Sequence, residues 1–555
     1  MDSSYWMFLI PLLFFLAIVL SNTASIMRTG KCKWNLLFVT AGVCVGVIIM
    51  VTFVVSFPFF ILYRKILKVY LMIRHGKNFI ELIDGFDSTF TRSFQRNNTI
   101  NILFIFQTDH DITETFKNFI NDKFIINGDK LKKFHSTLRS CSGYKYLVKQ
   151  HLTVDDCVKT AAVVNQNEAF ISKEGLMGIL CQYYDDPFPR DNTVLWDCTV
   201  WTQPIQWRPT KDGKKNYAVL FRCNHCIADG VSLFYLLAGV FSDKVSDTVQ
   251  KNFKSSYNAS IVVKVGHYVY RWMCFLSYGV AEAMTEQLFE KKEKNVLNDS
   301  MVYSETLSLK IDESGEVLKM AKMIKNEIMG INFSQVLLTA LSAAMKNYFS
   351  THSQTYPERV NIVIPFSLDA LQIPKLPLGQ LSYDKISFHN NFEMLTYKMP
   401  VFTKNKAGEH THPSLFERLL LIKKETRNLH KTFDNKVTSF WGHIGLPALP
   451  ATVATFLEHK HNWTSIFSTL PGSPKLTFCE NKLSLQDIVF WAPHVNEIGC
   501  NFSVTTYDNR LQLGINSDKA LIPNCQQAQG ILEDILENII SLNEEILKVP
   551  LIRII

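Results

Sequence analysis

The chain has 555 residues, too many for one ordinary core, so two packed domains with an added element are expected. Hydrophobic residues make up 47% and charged residues 19%, which argues against a disordered chain, and 40 Phe point to large apolar interiors or apolar substrate walls. A net charge of +8 without any Lys/Arg run interleaved with aromatics argues against nucleic acid as a partner, and 12 scattered Cys read as free thiols of a reducing compartment.

Residues 1–80 read as a membrane anchor with one or two spans. Residues 5–20 form an uncharged apolar run that is short for a span, contains Pro11 and lacks a basic leader, so a short or half-inserted helix fits better than a signal peptide. Residues 34–63 form a second run, long enough as a helix to reach about 45 Å and overspan a hydrocarbon core of about 30 Å. Tilt, or an end near Pro58, would absorb the surplus. Arg28, Lys31 and Lys33 lie between the runs, and Arg64, Lys65, Lys68, Arg74 and Lys77 follow the second. The larger basic cluster places the body on the cytosolic face, with the endoplasmic reticulum as the expected membrane.

From residue 84 the pattern becomes alternating α/β. A first domain is expected over 84–250, with a strand at 100–106, a helix at 112–120 and a short apolar strand at 218–222 running into Cys223, Asn224 and His225. Residues 251–300 are a crossover. Its aromatic middle, 268–278, suits either an interfacial helix with Arg271 reaching water or a buried helix between domains. A second domain is expected over 301–555, with strands at 305–311, 360–365 and 502–507 and helices at 316–329, 333–349, 415–433 and 526–547.

The segment NHCIADG at 224–230 carries the most chemistry. A His at a strand end offers an imidazole near its neutral working range, Asp229 can brace the loop, and Gly230 permits close backbone approach. The plain alternative is a loop histidine with an ordinary turn. Cys223 and Cys226 are the one close thiol pair, and no second pair completes a zinc site, so no metal is expected.

The segment resembles the HHxxxDG motif of the coenzyme A-dependent acyltransferase superfamily, and its continuation VSL at 231–233 is similar to the wax ester synthase/diacylglycerol acyltransferase family. Further strings resemble that family in order: NTVLW at 192–196, IPFSL at 364–368, STLPGSP at 468–474, NFSVTTY at 501–507, LQLG at 511–514, Asp518 and Pro523. The resemblance covers roughly 84–548. It implies two coenzyme A-dependent-acyltransferase-like α/β domains with a substrate channel between them, plus the N-terminal transmembrane helices. It implies His225 as general base and Asp229 as a loop brace held by a cationic partner, with Asn224 and Gly230 as motif support. Acyl-CoA enters as substrate, with no cofactor, and the acceptor is a long-chain alcohol or diacylglycerol at the lipid bilayer. Two departures stand out. Asn224 replaces the first His of the motif, which assigns that position to orientation, and Ser334 with Gln335 stand where the family has an Asn-Asp pair, so no oxyanion role passes to them. These departures support the rival reading, a catalytically silent lipid-binding membrane protein that kept the fold.

Overall fold

The computed structural model describes residues 3–548 apart from 29–35, 92–97, 162–167, 187–193, 211–212, 244–260, 286–294, 354–355, 368–380, 405–409, 412, 428, 430–431, 458–462 and 496–497. Lys31 and Lys33, residues 192–193 and Leu368 of the motif strings therefore lie outside the described residues.

Two apolar helices lead the chain, α1 (Ser3–Arg28) and α2 (Leu36–His75). Both are long and apolar enough to cross a membrane. The second does not end near Pro58; it continues to His75, 40 residues or about 60 Å. Its outer face exposes Leu37, Phe38, Ile48, Ile49, Val55 and Phe59, an apolar band that water does not favour. Beyond Tyr63 the helix joins the body: Leu67 and Leu71 are buried, and Arg64 donates to the carbonyls of Ile83 (2.7 Å) and Pro447.

The helix Ile261–Met284 packs beside this pair. Gly42 and Gly46 of α2 let it approach, since a Cβ at either would meet Met284 or Val280. Asn22 of α1 is fully buried and grips its backbone, donating to Leu276 O (3.0 Å) and accepting from Ala281 N–H (2.9 Å). Arg271 is partly exposed and pairs with Glu393 at 3.2 Å. The same helix buries Phe275 against Phe440 and exposes Val265, Tyr268, Val269, Tyr270 and Met273.

The body holds two six-stranded sheets. The first runs, in spatial order, Thr477–Phe478, Leu483–Trp491, Thr99–Thr108, Lys215–Asn224, Trp196–Trp201 and Val158–Ala161. The second runs Phe392–Pro400, Arg359–Ser367, Ser465–Thr469, Cys500–Tyr507, Arg510–Asp518 and Glu305–Ile311. Strand Thr99–Thr108 is buried on nearly every residue, as a central strand covered on both faces must be. Leu483–Trp491 comes from late in the chain yet pairs with it, so the C-terminal half completes the first sheet. Asp487 on that strand is fully buried and knots the halves, accepting from Trp207 (2.7 Å), Arg208 (2.9 Å) and Gln512 (2.8 Å). These three bonds offset the cost of burying a carboxylate only because both Arg208 and Arg510 neutralise it.

Candidate active site

The register of the first sheet decides where His225 sits. Asn224 ends strand Lys215–Asn224 opposite Thr99, and the His225 N–H donates to Asn98 O at 2.7 Å. The chain then turns. Asn224 Oδ1 accepts the Cys226 N–H at 3.0 Å, so this side chain shapes the turn. Asp229 caps the short helix Gly230–Tyr235, its Oδ1 accepting Ser232 N–H at 2.7 Å, and the cap fixes where the loop ends. Ser232 Oγ in turn donates to Ser387 O, across to the second half. A Cβ on Gly230 would meet Leu470 Cδ2 at 3.0 Å, so glycine preserves a close approach there. Cys223 and Cys226 are buried thiols, and burial pushes Cys226 up to about 12.

The imidazole of His225 is buried and lies flat on Phe90, ring centroids 3.9 Å apart and 8° from parallel, with Phe392 at 6.0 Å edge-on. Burial pushes its pKa down to about 4, opposed by hydrogen bonding with its own main chain and Asn390 and by the Asp87 carboxylate. At neutral pH the ring is therefore uncharged, the state a general base requires.

Phe90 and Asp87 belong to one short helical segment, Gly85–Thr91, just beyond the end of α2. Asp87 accepts from Lys133 Nζ (2.7 Å), Asn390 N–H (2.7 Å) and Asn390 Nδ2 (2.8 Å). Burial alone would raise its carboxyl, but the hydrogen bond from His389 and the Lys133 ammonium outweigh it and hold it below the usual range. Glu81, Asp87 and His389 lie close enough to ligate a cation, yet the Lys133 ammonium sits among them, 2.8 Å from Glu81 and 3.1 Å from His389. That charge fills the role a metal would play.

His225 lines a pocket between the halves, with Phe90, Ile100 and Gly230 on one side and Pro365, Phe392 and Met394 on the other. An apolar slot adjoins it, walled by Phe104, Phe106, Phe116, Phe119, Phe221 and Phe241, and shares Gly230, Leu470 and Phe490 with the first pocket. The slot meets the imidazole's pocket at the Gly230–Leu470 contact. Ser334 and Gln335 are elsewhere. They line a separate cavity of about 1060 Å³ that also touches Ile364, Phe366, Glu393 and Leu395, the residues alternating with those facing His225. A strand presents successive residues to opposite faces, so the sheet separates the two spaces. Gln335 is engaged in a capping box with Asn332 and donates to Thr426.

Of the motif residues, the fold gathers Asn224, His225, Asp229 and Gly230 in one loop. Sequence reasoning missed Asp87, Phe90, Asn390 and Phe392, which complete the surroundings of the ring.

The model of the WS/DGAT C-terminal domain matches residues 389–540. That stretch of the second half is thus similar to the C-terminal domain of the wax ester synthase/diacylglycerol acyltransferase family. Among solved structures, the chain is similar to the wax ester synthase/diacylglycerol acyltransferase from Marinobacter aquaeolei VT8, at 13% identity and a TM-score of 0.53, covering 84% of this chain and 99% of that one. It is similar in fold to TRI3 trichothecene 15-O-acetyltransferase from Fusarium sporotrichioides, at 11% identity and a TM-score of 0.53 over 82% and 94%. The first condensation domain of the calcium-dependent antibiotic synthetase matches at 10% identity and a TM-score of 0.51 over 83% and 96%. No curated protein matches the sequence. The fold is thus the two-sheet α/β arrangement that the Marinobacter protein shares with condensation domains.

Proposed function

We propose that the chain is a membrane-anchored O-acyltransferase that moves a fatty acyl group from acyl-CoA to a long-chain alcohol, to diacylglycerol or to both, with His225 as general base. The observation that carries this reading is an uncharged imidazole at the junction of an interdomain pocket with a phenylalanine-walled slot. The slot suits an acyl chain, because its walls offer apolar area and almost no polar atoms.

In the reaction the acceptor hydroxyl approaches His225, and the imidazole takes its proton as the oxygen attacks the thioester carbonyl. The tetrahedral intermediate collapses with cleavage of the carbon–sulfur bond. Coenzyme A leaves as thiolate and regains the proton from the imidazolium. No acyl-enzyme forms, and no cofactor enters beyond acyl-CoA as substrate. Proton transfer of this kind contributes about 10²- to 10⁴-fold, and positioning of the two substrates supplies more. Asp229 acts through the loop it caps.

The apolar faces of α1 and α2 suit an anchor in the bilayer where such acceptors dissolve, and Lys65, Lys68, Arg74 and Lys77 beyond the span support the reading of a body on the cytosolic face, with the endoplasmic reticulum as the proposed membrane. Expression in a cell lacking neutral-lipid synthases, with fatty alcohol feeding and lipid profiling, tests the proposal. Wax esters or triacylglycerol appearing with the chain support it and name the acceptor. A profile unchanged under every feed, with the protein folded and in the membrane, would establish the silent lipid-binding alternative.

A further inference from the structure

The large cavity behind the second sheet opens beside the membrane helices. The helix Ile261–Met284 runs antiparallel to α2: a Cβ on Gly42 would meet Met284, one on Gly46 would meet Val280, and the ring centroids of Phe53 and Phe275 lie 6.1 Å apart, those of Phe57 and Trp272 5.0 Å. On the same course His267, Tyr270 and Arg271 come level with α2 beyond Phe57, where its apolar run gives way to Arg64 and Lys65, about 10 Å further along the axis. That is headgroup depth when the run lies in hydrocarbon. Val265, Tyr268, Val269 and Met273 of this helix are exposed and add to the apolar band of α2.

His267, Tyr270 and Arg271 line the cavity of about 1060 Å³. With them stand Lys423 and Arg427, at the end of the helix Leu415–Thr426, and Lys436 of the helix Phe433–Phe440. Among the described lining residues four cations, Arg271, Lys423, Arg427 and Lys436, are set against one carboxylate, Glu393, which Arg271 and Ser439 already engage. Lys423 donates to the Met329 carbonyl, and Lys436 Nζ lies 5.5 Å over the Tyr270 ring; neutral partners solvate an ammonium without cancelling its charge. Leu338, Ile364, Phe366 and Leu395 add apolar wall. Cations and apolar wall in one space at that depth suit an amphiphile with an anionic head.

We propose that this cavity binds a membrane lipid whose headgroup carries a phosphomonoester, with the phosphate on Lys423, Arg427 and Lys436 and the upper acyl carbons against Leu338 and Phe366. The inference rests on the reading of α1 and α2 as membrane helices and is independent of His225. Ile364, Phe366, Glu393 and Leu395 face this cavity, whereas Pro365, Ser367, Phe392 and Met394 face the imidazole, so the sheet holds the lipid apart from the base. The lipid is a bound companion and not a reactant. A phosphomonoester carries close to two negative charges at neutral pH, which suits four cations set against one carboxylate. Coenzyme A offers the same phosphate chemistry in soluble form, and the two sources are separable by experiment.

The test uses the full-length protein in phosphatidylcholine nanodiscs that contain a minor share of phosphatidic acid with a photoreactive acyl chain. Crosslinks are expected on the elements that wall the cavity, and Lys423→Gln with Arg427→Gln should cut them by at least about tenfold at an unchanged unfolding midpoint. Lys322→Gln with Lys325→Gln, an exposed pair on the helix Glu316–Glu327 away from the cavity lining, should leave labelling unchanged. Equal loss from both pairs, or equal labelling by photoreactive phosphatidylcholine, would overturn the proposal. Excess coenzyme A should not compete. Displacement by coenzyme A would assign the cations to that soluble phosphate and overturn the lipid. Water-soluble short-chain phosphatidic acid reads the site apart from the anchor: calorimetry on detergent-solubilised protein should show binding that the Lys423→Gln, Arg427→Gln variant loses. No binding to the wild type would overturn the site. Binding by a protein that fails to enter nanodiscs would defeat the membrane reading of α1 and α2 and leave the phosphate site standing.

Discussion

The two halves of the body pack differently. Around the first sheet the interior is dominated by rings: Phe104, Phe106, Phe116, Phe119, Phe124, Trp196, Phe221 and Phe241 meet largely edge-to-face or tilted, as with Phe119 and Phe241 at 5.7 Å and 89°. Around the second sheet it is mostly aliphatic, with Val336, Leu337, Leu341, Ala344, Ile531, Leu532 and Ile539 interleaved between two long helices. Branched aliphatic chains interdigitate and fill space, whereas flat rings with two side-chain torsions are stiff and leave gaps when they meet at angles. The contrast teaches that the filled helix packing of the second half serves as scaffold, its cavity at Gln335 lying apart from His225, and that the ringed half walls the slot beside His225.

Substitutions that separate stability from activity can break that contrast. The largest effect should come from Leu341→Ala in the filled half, where loss of a fully buried side chain costs about 2–5 kcal/mol. Chemical denaturation should show that loss, while activity per folded molecule stays near wild type. A large activity defect in the folded fraction would mean the scaffold reaches the site directly. Next comes Leu470→Trp, at the junction of slot and pocket, which should lower transfer of long acyl chains by about tenfold or more, roughly 1.4 kcal/mol of barrier, and spare short ones. Equal loss for short and long chains would move the acyl site elsewhere.

A smaller effect is expected from pH. Because burial lowers the His225 pKa to about 4, the base stays uncharged from pH 8 down through pH 5, and kcat/KM should hold level until it falls near that value. A limb centred at about 6.5, the ordinary imidazole value, would mean the ring is solvated in the working enzyme. The smallest effect belongs to Asn224→His. Its turn-shaping bond to the Cys226 N–H can be replaced by a ring nitrogen, so the rate should stay within about tenfold of wild type. A greater loss in steady-state kinetics would assign Asn224 a more specific contact.

Much of the fold was legible because it is written locally. The strand Glu305–Ile311 and the helix Ile112–Ile120 were both read within their observed bounds. Other limits were not local. The helix expected over 415–433 ends at Thr426, and a second begins at Phe433. The run ending at residue 63 is prolonged to His75, because Leu67 and Leu71 find a partner surface on the small sheet that includes Tyr144 and Tyr146. The same distinction governs the site. The motif loop could be read from seven consecutive residues, while Asp87 and Asn390, 303 positions apart, meet only after both halves have folded. Leu483–Trp491 completes the first sheet for the same reason: its partner strand is nearly four hundred residues earlier, as with Gln486 and Gln107 at a separation of 379.

The central claim is that His225 performs the proton transfer that joins acyl group to alcohol. It is tested most directly with purified full-length protein in nanodiscs, given labelled long-chain acyl-CoA and a long-chain alcohol or diacylglycerol, by comparing initial rates of ester formation for the wild type and His225→Ala. The account predicts ester from the wild type and a loss of about 10²- to 10⁴-fold in the variant, with an unchanged unfolding midpoint. Ester formed at the wild-type rate by folded His225→Ala would contradict it.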